Sequence, residues 1–80
     1  MTTNDAVAKR ILQLLREKNM TQYRLEQQSG VYHGVMNRIL NHKNITVTLA
    51  TLYKLANGFR MTLLDFLSDD IFLSDQIEIE

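Results

Sequence analysis

The chain has 80 residues, 22% of them charged, a formal net charge of zero, and neither cysteine nor proline. This length accommodates one domain with a small core and leaves no room for a second, and without cysteine neither a disulfide framework nor a thiolate zinc site can form. No run of about 18 apolar residues occurs, and the N-terminus lacks a basic stretch followed by an apolar one, so we expect a cytoplasmic protein without membrane contact.

The zero net charge hides a separation of charge along the chain. All nine Lys and Arg residues lie in residues 1–60, where only three carboxylates oppose them, which gives +6. Residues 61–80 contain six carboxylates and no Lys or Arg, which gives −6. The sequence therefore predicts a basic body, of the kind that can bind an anionic partner, followed by an acidic tail.

A first helix is indicated by apolar residues at helical spacing: Val7, Ile11, Leu14 and Leu15. Thr3 or Asn4 can cap its start, and Asp5 just after them interacts favourably with the helix dipole. Lys18 and Asn19 are typical of a helix end, because a cation suits the last carbonyls and asparagine tolerates the left-handed conformation. We therefore predict a helix that runs to about Lys18.

The middle of the chain predicts two short helices joined by a turn that contains glycine. Thr21 is a suitable N-cap for a second helix from Gln22, and Ser29-Gly30 should end it because glycine adopts the left-handed conformation without steric cost. The spacing of the flanking apolar residues places a third helix start at His33. This layout is that of a helix-turn-helix. The polar face of the third helix comprises His33, Gly34, Asn37, Arg38 and Asn41.

Two more helices are predicted beyond a polar loop. Thr48 precedes a fourth helix from about Leu49, and Thr62 precedes a fifth from Leu63 to about Leu67. The apolar stripe predicted to be buried on the fourth helix is Leu49, Leu52, Leu55, Ala56 and Phe59. Four helix starts share one local pattern of flanking apolar residues, which favours an all-α domain.

The acidic tail leaves three structures open. Ile71-Phe72-Leu73 is apolar but lacks a helical period, whereas residues 76–80 alternate polar and apolar side chains as a strand does. The tail can be a frayed terminus, a strand that pairs with a twin subunit, or a segment that folds back over the body. We therefore divide the chain into a body of residues 1–68 and a tail of residues 69–80.

Several motifs in register resemble one family. From Met20 to Lys43 the chain reads M-T-Q-x-x-L-x-x-x-S-G-V-x-x-x-x-M-x-R-I-x-N-x-K, and later T-L-x-T-L-Y-K-L-A and M-T-L-x-x-F-L follow. These motifs resemble the Cro/cI-type (Xre) family of phage and bacterial DNA-binding regulators over residues 7–67. The resemblance implies a five-helix, lambda-repressor-like domain that binds double-stranded DNA, acts as a transcriptional repressor, and forms a homodimer on a palindromic site.

In that family the third helix enters the major groove, so its polar face is the expected base-reading surface. His33 can donate or accept at a purine edge, Asn37 suits bidentate pairing with adenine, and Arg38 suits guanine or a phosphate. Gly34 offers no side chain but lets the helix come close to DNA.

The resemblance also implies a set of contacts to the DNA backbone. Gln22 matches a family position that anchors a phosphate and braces the recognition helix, and the dipole of its helix supports that contact. The loop after the third helix lies against the backbone in the family, and asparagine and lysine are residue types that bind phosphate. The expected backbone contacts are Gln22, Tyr23, Tyr32, Asn41, Lys43 and Thr48.

Three departures from the family pattern carry structural expectations. Leu15 and Leu40 stand where many relatives place an Arg–Glu pair, and we expect an apolar contact instead. Glu26 replaces a small alanine, so its side chain should bend outward or pair with a nearby cation. Gly58 weakens the fourth helix, and Arg60 replaces its closing glycine, which predicts a strained left-handed Arg60 or a shifted helix end.

One alternative function remains, an adaptor or antitoxin-like module whose acidic tail binds a protein partner. An enzyme is not expected, because His33 and His42 lack a metal-ligand spacing and no nucleophile motif or phosphate-binding glycine loop occurs. We expect neither a metal nor another cofactor.

Overall fold

The computed structural model describes residues 1–41, 46–73 and 77, and its regular elements are helical. The all-α prediction with five helices is confirmed. The helices are α1 (Thr3–Glu17), α2 (Gln22–Ser29), α3 (His33–Leu40), α4 (Leu49–Gly58) and α5 (Leu63–Leu67), and a 3-10 turn follows at Asp70–Leu73. Among the described residues no helix is both long and apolar enough to cross a membrane.

Threonine hydroxyls cap the N-termini of four of the five helices. Each accepts the backbone N–H three residues later, which satisfies a donor that the helix itself leaves unpaired; these residues are Thr2, Thr21, Thr48 and Thr62. The predicted cap of α1, Thr3 or Asn4, is wrong. Thr2 takes this position because Asp5 then lies three residues on, where its carboxylate accepts the Thr2 N–H at 3.0 Å and completes a capping box.

Left-handed residues close three helices. Gly30 has a φ of 77°, as predicted, and the predicted left-handed Arg60 is also confirmed, with a φ of 58°. Asn19, with a φ of 51°, ends α1 in the same way. After Asn19, the Met20 N–H donates to the Leu15 carbonyl of α1. After Arg60, the Met61 N–H donates to the Ala56 carbonyl of α4. These bonds satisfy carbonyls that the helix end would otherwise leave unpaired.

The core lies where α1, α2, α3 and α4 meet and is completed by Phe66 of α5. Its largest fully buried side chains are Ile11, Leu25, Met36, Ile39, Leu55, Phe59 and Phe66. Leu15 and Leu40 are half-buried and pack against this cluster, which fits their expected apolar role.

The prediction for Leu49 is wrong, since its side chain is 60% exposed. The fully buried residues of α4, Leu55, Ala56 and Gly58, lie in the second half of the helix.

Gly58 marks the closest approach of α2 and α4. A β-carbon at this position would lie 2.6 Å from the Ser29 Cβ and 2.9 Å from the Leu25 Cδ1, closer than real side chains pack. From the sequence, Gly58 was expected only to weaken its helix. Its structural role is to let two helices touch, and α2 carries half of the helix-turn-helix.

Arg10 connects α1 to the end of α5. Its guanidinium donates to the Phe66 carbonyl at 2.7 Å and the Asp65 carbonyl at 2.9 Å, and it forms an ion pair with Asp69 at 3.4 Å. Phe72 of the 3-10 turn lies against Phe66, with ring centroids 6.2 Å apart. Residues 69–73 therefore fold back onto the body. The alternating segment at residues 76–80, for which a strand was one of the open structures, lies outside the described residues, apart from Ile77.

The Asp69 carboxylate should make stability depend on pH in the acid range. The backbone N–H of Ile71, the Gln13 amide and the charge of Arg10 hold the pKa of Asp69 below its ordinary value of 3.8. A lowered pKa adds stability above that ordinary value, and this stability disappears as the pH falls through the lowered pKa.

Urea unfolding of the wild type and of Asp69→Asn, measured between pH 2 and pH 7, tests this dependence. The asparagine keeps an acceptor for Ile71 but cannot ionise. We expect the wild type to be the more stable protein at pH 7 and its advantage to shrink below about pH 4. A difference in stability that does not change with pH would contradict the proposed charge contribution.

Candidate nucleic-acid interface

The outer face of α3 is open to solvent because its inner face is fully used by the core. Met36 and Ile39 are completely buried, whereas His33, Gly34 and Arg38 are exposed. Tyr32, the N-cap residue before His33, makes no capping hydrogen bond with its side chain, as expected for a residue that lacks a small hydroxyl or carboxylate. The amide N–H groups of the first turn of α3 are therefore not covered by a capping side chain.

Four polar side chains of α2 and α3 form a closed hydrogen-bonded ring, which we call the polar ring: Gln22, Glu26, His33 and Asn37. The Gln22 Nε2 donates to Glu26 Oε2 at 2.8 Å and to Asn37 Oδ1 at 3.2 Å. The His33 Nδ1 lies 2.9 Å from Glu26 Oε2, and the Asn37 Nδ2 lies 3.1 Å from His33 Nε2. The ring ties the start of α2 to the outer face of α3.

The donors and acceptors of the polar ring fit one state of His33. The Asn37 Nδ2 can only donate, so the His33 Nε2 that faces it must accept. The remaining ring nitrogen, Nδ1, then carries the hydrogen and donates it to the Glu26 carboxylate. From this geometry we infer the tautomer of His33 that carries its hydrogen on Nδ1.

Glu26 turns toward α3 rather than into solvent. Its side chain is 9% exposed, whereas that of His33 is 69% exposed, so the histidine and Gln22 cover the carboxylate. The hydrogen bond from Gln22, and after it the one from His33, hold the pKa of Glu26 below its ordinary value of 4.5, although burial acts in the opposite direction. Glu26 thus does not bend outward, which was one of its two expectations; it accepts hydrogen bonds from Gln22 and His33.

The other predicted contact residues surround this ring to different extents. Tyr23 and Tyr32 are 70% and 80% exposed and border a shallow cleft between α2 and α3. Asn41 is the exposed C-cap of α3, and the hydroxyl of Thr48 is occupied in capping α4. Lys43 lies outside the described residues. A β-carbon on Gly34 would meet no atom within 4 Å, so this position presents bare backbone on an open face.

The chain matches a known protein family. A family model described as a Cro/C1-type HTH DNA-binding domain matches residues 10–70. The chain belongs to this family. As a Cro/C1-type HTH protein it is a DNA-binding transcription regulator, a class that is typically not enzymatic. Comparisons with curated proteins and with solved structures gave no match.

The four members of the polar ring were singled out from the sequence, but the hydrogen bonds that join them were not. From the sequence, His33 and Asn37 were expected at bases, Gln22 at a phosphate, and Glu26 as a departure from the family's packing. The signal was available in part, because a carboxylate in place of the family's small alanine needs hydrogen-bond partners when it is covered. Among the described residues no group of three or more histidine and carboxylate side chains is arranged to hold a metal ion.

Proposed function

We propose that this protein is a sequence-specific repressor that reads the major groove of double-stranded DNA with α3. The observation that carries the proposal is the exposed polar face of α3, whose side chains are held in place from α2 by the polar ring. An α-helix fits the major groove of B-DNA, where each base pair presents a distinct set of donors and acceptors. Such a regulator acts where the DNA is, in the cytoplasm.

Asn37 is the side chain best prepared to read a base. Within the polar ring it uses one of its two amide hydrogens and one lone pair of its oxygen, which leaves one donor and one acceptor. That pair matches adenine, which presents the N7 acceptor and the N6 donor in the major groove. Arg38 is exposed at the same helix face and suits guanine or a phosphate, and Gly34 allows close approach.

His33 has less capacity for a direct base contact than its position suggested. Both of its ring nitrogens already have partners within the protein. A nitrogen that reads a base must first give up one of these partners, which costs a hydrogen bond. We therefore assign His33 to support of Asn37, with its exposed ring edge in van der Waals contact with the DNA.

The backbone contacts form a frame around the base-reading residues. Gln22 begins α2, where the helix dipole favours a phosphate; because the polar ring uses both hydrogens of its Nε2, a side-chain contact to phosphate requires Gln22 to release one of these partners. The phenol hydroxyls of Tyr23 and Tyr32 reach phosphate or sugar from the cleft between the helices. Asn41, Lys43 and Thr48 extend the contacts along the strand.

A single domain of this size makes a small interface with DNA, so we propose a homodimer on a palindromic site. Two recognition helices one DNA turn apart double the number of base contacts and give useful affinity. The alternative adaptor function is less favoured, because Asp69 and Phe72 bind the body and are not free to hold a partner.

Alanine substitutions at three contact positions test the proposal. After selection of duplexes from a random pool, Asn37→Ala and Arg38→Ala should each cost roughly 1–3 kcal/mol and relax the preference at different base pairs. Lys43→Ala should weaken all duplexes nearly equally and reduce the slope of log affinity against log salt by about 1.

The affinity of each variant for the selected and a scrambled duplex, at two salt concentrations, separates these effects. A wild-type preference of at least about a thousandfold for the selected duplex supports a specific regulator. Identical profiles for all three variants, or a wild type without sequence preference, would count against the proposal.

A further inference from the structure

A carboxylate at the centre of a DNA-binding surface calls for a physical explanation. Glu26 lies between Gln22 and His33, both of which are expected at the interface, and its negative charge repels phosphate. Its side chain does not turn away but is covered by these two residues and kept ionised by their hydrogen bonds. We therefore expect Glu26 to have a structural role whose benefit offsets its repulsion of phosphate.

The contribution follows from the chain of donors and acceptors. Because Glu26 accepts, a neutral His33 carries its one ring hydrogen on Nδ1, which leaves Nε2 as an acceptor. Because Nε2 accepts, the amide group of Asn37 turns its nitrogen toward His33 and its oxygen toward the Gln22 donor. Glu26 thus determines, through His33, which edge of Asn37 donates and which accepts.

Without the carboxylate, the opposite arrangement becomes available. A neutral histidine with its hydrogen on Nε2 would place two donors face to face at Asn37, which favours rotation of the amide by half a turn. The amide nitrogen would then face the Gln22 nitrogen, so that contact would also be lost. The amide nitrogen and oxygen of Asn37 would then have exchanged positions. The side chain would no longer match N7 and N6 of an adenine at the same base pair.

We propose that Glu26 is a positioning residue that fixes the amide orientation of Asn37 through His33 and thereby sets a preference for adenine at one base pair. The inference rests on the proposed function of α3 as the base-reading helix. It adds a determinant of specificity that makes no base contact of its own. Two experiments test it, one on the free protein and one on the complex with DNA.

In the free protein, nitrogen NMR of the His33 ring at pH 8, above the range in which histidine side chains titrate, reports which nitrogen carries the hydrogen. We expect Nδ1–H in the wild type and in Glu26→Gln, whose amide oxygen can still accept from both neighbours. Glu26→Ala should shift the hydrogen to Nε2, the form that free histidine side chains favour. A wild type with Nε2–H, or no change in Glu26→Ala, would overturn the inference whatever the DNA results.

On DNA, the base pair most sensitive to Asn37→Ala is replaced by each alternative, and the ratio of affinities is measured. The wild type should prefer adenine by roughly 5- to 100-fold, as expected for a bidentate contact. Glu26→Ala should reduce that ratio at least about fivefold, and Glu26→Gln should retain most of it. Glu17→Ala, which removes a carboxylate from the exposed end of α1, should change overall affinity at most and leave the ratio intact.

A double variant decides whether Glu26 acts through Asn37. In an Asn37→Ala background the additional Glu26→Ala change should have no further effect on the base ratio. A further loss there, or an unchanged ratio in Glu26→Ala alone, would overturn the inference while leaving the proposed function intact. A wild type without any sequence preference would instead overturn the proposed function, and the NMR result would still decide the orientation of the polar ring.

Discussion

Replacing Arg10 with alanine is expected to lower the free energy of unfolding by about 3 kcal/mol. The guanidinium is buried and donates to two carbonyls at the end of α5, and the alanine variant would leave the carbonyl of Phe66 buried without that donor. A domain of this size has a total stability of roughly 4–12 kcal/mol, so the loss is a large fraction of it. Urea unfolding and a fall in Tm of roughly 15 °C would report the effect.

Two further variants identify the cause of that loss. Lys9→Ala removes a neighbouring cation from the exposed side of α1 and should change stability by less than about 0.5 kcal/mol. Arg10→Lys keeps the charge but not the planar fork that reaches Phe66 and Asp65 together, so its cost should be intermediate. If Arg10→Lys were as stable as the wild type, charge alone and not the pair of carbonyl contacts would be responsible.

Gly58→Ala is expected to cost about 2 kcal/mol, although alanine is the better helix former. The added methyl group would overlap the Ser29 Cβ, which is fixed to the α2 backbone, so the two helices must move apart. Overpacking of this kind typically costs about 1–3 kcal/mol, and the higher helix propensity of alanine returns at most about 1 kcal/mol.

Gly34→Ala provides the matched control for the same chemical change. A β-carbon there meets no atom within 4 Å, and the residue lies in the first turn of α3 with an ordinary helical conformation. We expect this variant to be as stable as the wild type or more stable by up to about 1 kcal/mol. Equal destabilisation by both alanines in thermal unfolding would contradict the close-approach role of Gly58.

Local sequence signals predicted the helices well because helix ends depend on neighbouring residues. A threonine hydroxyl reaches an N–H three residues away, so the starts at Gln22, Leu49 and Leu63 could be read directly from the chain. The left-handed Arg60 was one of two outcomes that the family resemblance implied, because Arg60 stands where a glycine usually ends the helix. The cap of α1 was missed because three candidate residues stand in a row, and only the position of Asp5 distinguishes them.

Burial was harder to predict where it depended on distant elements. Leu49 fits the apolar stripe of α4, yet the fully buried residues of α4 all lie in its second half, and Leu49 at its start is exposed. Gly58 appears from the sequence as a weak helix residue, and only the position of Ser29 on α2 makes it a contact point. A periodic pattern shows which face of a helix is buried. It does not show how far along the helix that burial extends.

The sequence by itself determined the all-α fold, the helix-turn-helix and the polar residues of α3, since all of these follow from spacing along one chain segment. Tertiary structure alone decided that Gln22 and Glu26 bind His33 and Asn37, because hydrogen bonds between two helices depend on how the helices cross. That crossing is set by the packing of Leu25, Met36 and Ile39 in a shared core, to which every helix contributes or against which it packs.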